Sequence, residues 1–233
     1  MEECRLHHAV YRDGTVKEGQ IDAAGQWVAY GLPETVQGFR VYDYGTWNGG
    51  LAFEAHRRGA AESWALDSFV WERWPHVRRM FEVDRENVAP AVKDAWVEVE
   101  PIPPFVLAEP QAVRHPENLS LREFAQRYGQ ADITIAGGVL YHLKNPFKFI
   151  EDVKLLVKPG GTLYLSTWCL PSETGQVMRF VPGWRNDPSN YWLISQPCVV
   201  AMMEHVGFIQ VQSRMLSRDP TVAEPLVMFR ARA

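Results

Sequence analysis

Asp43 and Asp67 are the residues of this chain best placed to do chemistry. Each ends an apolar run that reads as a strand, and a glycine-rich turn lies between them. The first run, Val41-Tyr42-Asp43-Tyr44, leads into Gly45-Thr46-Trp47-Asn48-Gly49-Gly50, and the second is Ser63-Trp64-Ala65-Leu66-Asp67. Glycine permits φ > 0 and close approach of the backbone to a ligand, and a carboxylate ending the second strand can accept the protons of both ribose hydroxyls. The arrangement is that of a nucleoside cofactor site. Two such carboxylates can also simply cap the turns that follow them. The glycines between them favour the ligand, because both carboxylates must then point to one crevice.

Spacing bears on which nucleoside. A dinucleotide fold asks for GxGxxG so that a pyrophosphate can lie against the backbone, and here Trp47 holds the middle glycine position. Asp43, two residues before Gly45, can instead face the ammonium of an amino acid. The pattern Asp43-x-Gly45-x-x-x-Gly49 resembles motif I of the class I S-adenosylmethionine (SAM) methyltransferases, with Asp67 as ribose ligand. A nicotinamide or flavin site is the competing reading of the same glycines.

These residues need elements to hold them. Residues 1–35 have no clear period and read as an amino-terminal arm or lid, followed by a catalytic domain over 36–233. The spacing predicts a strand over Phe39 to Tyr44, a helix from Gly49 to near Gly59, a second strand at once, and an amphipathic helix over Ser68 to Met80 broken near Pro75. The third strand is either Trp96 to Val99 or Ala112 to His115, and the later one is preferred because Leu121 to Tyr128 then makes a helix leading into strand four. Strand four is Ala131 to Ala136, ending in Gly137-Gly138. A helix beginning near Pro146, strand five over Thr162 to Thr167, a helix over Val199 to His205, and strands over Phe208 to Ser213 and Leu226 to Ala231 complete the pattern. Alternating strands and helices imply a parallel sheet with right-handed crossovers. Residues 168–195 read as an irregular insertion above the carboxyl edge, where ligands of open α/β sheets bind.

Composition narrows the class. The chain has 233 residues, 46% of them hydrophobic, which suits one α/β domain with a modest appendage. The formal charge is -4 with no block of basic residues, which counts against a nucleic-acid partner. Cys4, Cys169 and Cys198 form no CxxC, so a reduced, cytoplasmic protein without a cysteine zinc site is expected. No signal peptide or apolar run of membrane-spanning length is present, and the histidines have no HxxxH or HExxH spacing, so no metal is expected.

A second resemblance extends from about Leu6 to the end of the chain. Ala136-Gly137-Gly138-Val139-Leu140-Tyr141-His142-Leu143-Lys144-Asn145-Pro146 resembles the GVLYHxxxP segment of the tRNA wobble-uridine carboxymethyltransferase group and its short relatives. Val181-Pro182-Gly183, then Asn190-Tyr191-Trp192-Leu193-Ile194-Ser195, then Met203 to Phe208, is similar to that group's VPG, NxYxxPS and LexxGF succession. The resemblance implies a class I Rossmann-like fold, seven-stranded with the last strand antiparallel, and SAM or carboxy-SAM as donor. Carried over by position, Asp43, Gly45 and Gly49 hold the methionine part, Asp67 the ribose, and Tyr141 sits near the transferable group; Thr46 stands at a position the family varies. The tRNA enzymes carry a basic anchor for the donor carboxylate in an amino-terminal extension, which this sequence begins too late to contain. They carry a second arginine after the strand-six region, and Arg214 and Arg218 fall in no recognisable copy of that segment. A carboxylate without a cationic partner is costly to bury, so ordinary SAM is the expected donor.

Methyl transfer from a sulfonium is an in-line displacement that needs no metal; the protein mainly holds nucleophile, methyl carbon and sulfur collinear. An oxygen acceptor must also lose a proton, for which His142, at the mouth of strand four, is the candidate base, although it could merely cap the next helix. Gly137 completes the expected cofactor wall, and Glu117 and Asn118, just past the preferred third strand, are where an adenine amino group could be read. His8 in the arm, with Trp184, Tyr191 and Trp192 in the insertion, are candidate acceptor contacts; burial as packing is the plainer role for the aromatics. A small organic acceptor, a sugar or secondary-metabolite hydroxyl, fits the acidic balance. The alternatives are methyl or carboxymethyl transfer to tRNA and a non-catalytic SAM-binding regulatory subunit.

Overall fold

The structure is a computed structural model that describes residues 5–100, 115–171, 174–218 and 224–233. The chain divides into two compact units, Met1–Phe124 and Ala125–Ala233.

The first unit opens with a small antiparallel pair, β1 (Ala9–Val10) and β2 (Val16–Lys17), and a helix that the sequence pattern did not signal, α1 (Ala23–Tyr30). Asp22 caps α1 by accepting from the Ala24 and Gly25 N–H groups, and Gly31 ends it in the left-handed region at φ 70°. There follow β3 (Arg40–Tyr44), α2 (Gly50–Arg57), β4 (Glu62–Asp67), α3 (Phe69–Arg73) and α4 (Pro75–Val88). The break expected near Pro75 separates α3 from α4, because proline is tolerated in a first helical turn and not inside a helix.

The third strand is β5 (Lys93–Glu98), parallel to β4 with Asp67 opposite Trp96. The preferred Ala112 to His115 is therefore corrected in favour of the earlier candidate; residues 112–114 lie outside the described residues. Charges at the start of β5 disguise it in the sequence. Asp94 pairs with Arg78 at 2.6 Å and with Arg85, and Lys93 lies 3.5 Å from Glu62, so these side chains are matched along the strand's flank while Val97 is buried. A two-residue strand, β6 (Leu119–Ser120), adds to β5 in parallel, and α5 (Leu121–Tyr128) follows. Val70, Trp71, Val77 and Phe81 from α3 and α4 meet Ala52 and Phe53 of α2 and Ala65 of β4 in one apolar cluster. Burial of that area from water is the main force holding these helices to the strands.

In the second unit β7 (Ala131–Gly137) is followed by a short 3₁₀ turn at Leu140–His142 and by α6 (Pro146–Lys154), which Asn145 caps through the Lys148 N–H at 3.0 Å. The next strand, β8 (Val157–Trp168), starts earlier than expected and runs through Lys158-Pro159-Gly160-Gly161. Close approach explains the glycine: a Cβ on Gly161 would lie 2.9–3.0 Å from the carbonyl oxygens of Lys158, Ala131 and Asp132. Inside residues 168–195 a second small sheet forms, β9 (Met178–Phe180) against β10 (Trp192–Ile194). Then come α7 (Gln196–His205), β11 (Ile209–Arg218) and β12 (Pro225–Arg232). β7 and β8 are parallel, whereas β12 is antiparallel to β8 and to β11.

Among the described residues the first unit's sheet has four strands, β3, β4, β5 and β6, and the second unit's has four, β7, β8, β11 and β12, against the seven expected in all. The addition is β6, whose two residues extend the β5 edge. No helix among the described residues is long and apolar enough to cross a membrane.

Candidate active site

In the first unit Asp43, Gly45, Thr46, Gly49 and Asp67 converge, because β3 and β4 are parallel neighbours and the glycine turn leaves the end of β3. Gly45 and Gly49 both take positive φ, 74° and 90°, and a Cβ on Gly49 would come within 3 Å of the Phe53 and Phe81 rings. Trp47 also sits in the left-handed region at φ 56°, a conformation costing about 1–2 kcal/mol for a non-glycine residue. Three contacts offset that cost. The Trp47 N–H donates to Asp67 Oδ2 at 3.1 Å, its carbonyl accepts the Trp71 indole N–H at 2.9 Å, and its ring meets Trp74 at 5.2 Å.

Asp43 and Asp67 are both buried. Asp43 accepts the Thr46 hydroxyl at 2.6 Å, and Asp67 Oδ1 accepts the Val70 N–H at 2.9 Å. Burial pushes the Asp43 carboxyl up to about 6, against the opposing hydrogen bonds from Thr46 and the Ala52 backbone. Burial pushes Asp67 up to about 7, and the nearby charge of Asp43 adds to the rise. No cationic side chain among the described residues is paired with either. Two buried carboxylates, both raised by burial and neither paired with a cation among the described residues, make a site suited to a positively charged ligand.

The same unit carries an orphaned acceptor. Asn118 donates its amide to Glu72 Oε1, which also takes the His115 N–H at 3.0 Å, while Asn118 Oδ1 is buried with no hydrogen-bond partner. Glu117 is exposed. The His115 ring stacks on Trp96 at 4.1 Å. In the arm, His8 is paired at 3.0 Å with the exposed Glu18, whereas its neighbour His7 is buried. The His7 N–H donates to Asn48 Oδ1 at 3.0 Å, and Asn48 Nδ2 returns a bond of 3.0 Å to the His7 carbonyl. Sequence reasoning passed over Asn48, although its place inside the glycine turn was a signal.

In the second unit Tyr141 and His142 leave the carboxyl end of β7 just after Gly137, with ring centroids 4.2 Å apart. The Tyr191 N–H donates to the Tyr141 carbonyl at 3.0 Å, which joins this turn to the 168–195 segment. His142 Nδ1 lies 3.0 Å from Ser189 Oγ and 3.2 Å from the Ser189 carbonyl. Trp184 packs edge-on to Trp168 at 5.8 Å, with the Arg185 guanidinium 4.6 Å above the Trp168 ring. Trp192 packs on Phe180 of its own small sheet at 5.2 Å, and its buried indole N–H has no hydrogen-bond partner. Ser189 and Asp187 carried no weight in the sequence reading; the Asp187-Pro188-Ser189 turn signal was their only mark. Among the described residues no group of three or more histidines, cysteines and acids could hold a metal.

A parallel sheet with an antiparallel end, a glycine turn after the first parallel strand and a buried carboxylate ending the next define a class I SAM-dependent methyltransferase. The chain belongs to the family described as a methyltransferase domain, whose model matches residues 17–213. It is 31% identical over 108 residues to the tRNA U34 carboxymethyltransferase of Methylococcus capsulatus (strain Bath), covering 46% of this chain and 32% of that protein. The enzyme of the same name from Chromohalobacter salexigens is 28% identical over 194 residues, which is 80% of this chain and 48% of that one. The chain thus spans less than half the length of both relatives. Among solved structures, the N-terminal domain of EvdMO1 in the presence of S-adenosylhomocysteine (SAH) and D-fucose superposes with a TM-score of 0.60 at 18% identity, over 91% of this chain and 81% of that one.

The residues present fit SAM. Its ammonium and sulfonium suit unpaired buried carboxylates, its ribose diol suits Asp67, and the orphaned Asn118 Oδ1 can accept from an exocyclic amine.

Proposed function

We propose that this protein transfers a methyl group from SAM to a hydroxyl of a small organic acceptor, such as a sugar or a secondary metabolite. The observation that carries the donor half is the pair Asp43 and Asp67, buried, raised toward neutrality and without a cationic partner. The acceptor half rests on a net charge of -4 without a basic tract and on the SAH and D-fucose named with the EvdMO1 domain.

In this reading Asp43, Gly45, Thr46 and Gly49 hold the methionine part, Asp67 takes the ribose, Asn118 with Glu117 reads the adenine edge, and Gly137 is a further cofactor contact. Tyr141, His8, Trp184, Tyr191 and Trp192 orient the acceptor, and His142 removes its proton. The cofactor supplies an activated methyl on a positively charged sulfur. The 1–35 segment is an arm or lid, and 168–195 is the substrate-side insertion of a 36–233 methyltransferase domain.

Titration of the protein with SAH in a calorimeter tests the donor half; absence of binding sinks it. The specific rival is tRNA modification, favoured by the name of both curated relatives. Anisotropy with labelled tRNA at low and physiological salt separates the two. We expect only weak binding at physiological salt, about 10⁻⁴–10⁻⁶ M, as for non-specific contacts. Nanomolar affinity there would overturn the small-molecule reading.

A further inference from the structure

His142 lies against two atoms that can only receive its hydrogen. The Ser189 carbonyl oxygen, 3.2 Å from Nδ1, is an acceptor by nature. The Ser189 hydroxyl, 3.0 Å from the same nitrogen, gives its own proton to Asp187 Oδ1 at 2.6 Å and so meets Nδ1 with a lone pair. Nδ1 therefore carries the hydrogen, and in the neutral ring the lone pair is on Nε2. The turn that makes this arrangement is closed on itself. Asp187 Oδ1 also accepts the Ser189 N–H at 2.9 Å, and the Asp187 carbonyl accepts the Asn190 N–H at 3.0 Å. Ser189 is fully buried, which keeps water from replacing its hydroxyl.

From this chain we infer that Ser189 and Asp187 are positioning residues that hold His142 as the Nδ1–H tautomer and stabilise its imidazolium through a hydroxyl relay, leaving Nε2 as the base for a hydroxyl acceptor. The inference rests on the methyltransferase reading above and names the atom that takes the proton. The step balances. As the acceptor oxygen bonds to the methyl carbon, its proton passes to His142 Nε2, and the carbon–sulfur bond breaks with its electron pair left on sulfur. The positive charge lost by the sulfonium then resides on the imidazolium, where the Asp187 carboxylate faces it across Ser189 Oγ. A carboxylate acting through an intervening donor holds tautomer and orientation, as in acid–base triads generally.

The test uses histidine-¹⁵N-labelled full-length protein at about pH 9, where a free imidazole is neutral, and reads the long-range ring correlations of His142, assigned by their loss in His142→Gln. The expected pattern is a protonated Nδ1 and an unprotonated Nε2. In Ser189→Ala, which keeps the 3.2 Å carbonyl contact, and in Asp187→Asn the two nitrogens should move part of the way toward averaged values, while SAH affinity by calorimetry stays within about twofold of the parent. A protonated Nε2 in the parent protein overturns the inference. So does a pattern in both variants identical to the parent. If the variants fail to fold, the parent spectrum alone decides the tautomer. If SAH does not bind at all, the function reading falls while the tautomer result still stands or falls on its own spectrum.

Discussion

Asp67 is asked to do two things at once, and its substitution separates them. Removing the carboxylate in Asp67→Ala should weaken SAH binding by roughly 1–3 kcal/mol through lost charge-assisted ribose bonds. It also strands the Trp47 and Val70 N–H groups, which now donate to it, so the melting temperature should fall as well. Calorimetry and thermal melting on the same sample read the two losses, and an unchanged SAH affinity would remove Asp67 from the site.

Asp43 allows a cleaner pH experiment. Asp43 and Asp67 hold protons up to about 6 and about 7 in the fold, whereas both would ionise near the ordinary aspartate value of 3.8 when unfolded. The folded state thus binds more protons than the unfolded one between about pH 4 and 7, and stability from this pair declines as pH rises through that window. Melting of the ligand-free protein should fall with pH there, and Asp43→Asn should flatten part of the slope. Since an asparagine can still accept from Ala52 and donate to Thr46, the variant should stay folded while its SAH affinity drops. Binding of the SAH ammonium to the parent should strengthen from about pH 5.5 to 8 as the carboxylates ionise. A pH-independent affinity would mean that neither carboxylate meets the ligand's charge.

At the scale of elements, residues 5–21 form a strap fastened to the turn that carries the glycines. Asp84 of α4 is buried and receives Arg5, the Tyr11 hydroxyl at 3.0 Å and Asn48 Nδ2 at 3.3 Å, while the Arg12 N–H donates to the Asn87 carbonyl at 3.0 Å. Gly50, first in α2, leaves room for His7: a Cβ there would lie 2.2 Å from His7 Cγ. Alanine in place of a helical glycine ordinarily gains up to about 1 kcal/mol, but overpacking costs about 1–3, so Gly50→Ala should destabilise the protein despite the better propensity.

Asn48→Ala should cost roughly 1–3 kcal/mol by stranding the His7 backbone groups, with hydrogen exchange accelerated first over residues 7–11. Burial holds His7 below its usual 6.5. Its protonation therefore opposes the folded strap, and the His7 contribution, complete above about 6.5, is lost as pH falls below that through the lowered folded value, opposite in direction to the aspartates. Exchange protection over the strap that stays constant from neutral to mildly acid pH would contradict this.

For the molecule as a whole, charge balance sets what can approach it. The sequence pI is about 6.0, so at neutral pH the protein is net negative and repels a polyanion at long range. Matched ions, such as Arg40 with Glu62 at 3.0 Å and Glu54 with Arg57 and Arg58, occupy many of its cations within the fold. If tRNA binding is detected, its logarithm should therefore fall only gently with the logarithm of salt; a slope magnitude of about 6 or more would indicate a phosphate-tracking surface that charge counting missed.

Much of the fold was legible in local pattern. β3, β4 and β7 read directly because buried parallel strands are near-continuous apolar runs, and α5 and α7 because their periods and caps agree. The apolar runs before them placed Asp43 and Asp67 at strand ends, and the GVLYH resemblance placed His142 just beyond the end of β7. What spacing does not carry is the identity of partners distant in the chain. β5 was obscured because its charged residues are satisfied by arginines from α4. α1 was missed because its cap and length leave only a weak period.

By itself the sequence determined an alternating α/β chain with a glycine turn between two acidic strand ends, since those are properties of neighbours along the backbone. Only the tertiary structure decided that the acids are buried without a cation, that His7 rather than His8 is enclosed, and that Ser189 and Asp187 hold the His142 ring. Those outcomes depend on desolvation and on hydrogen bonds between residues about forty positions apart, which no local pattern encodes.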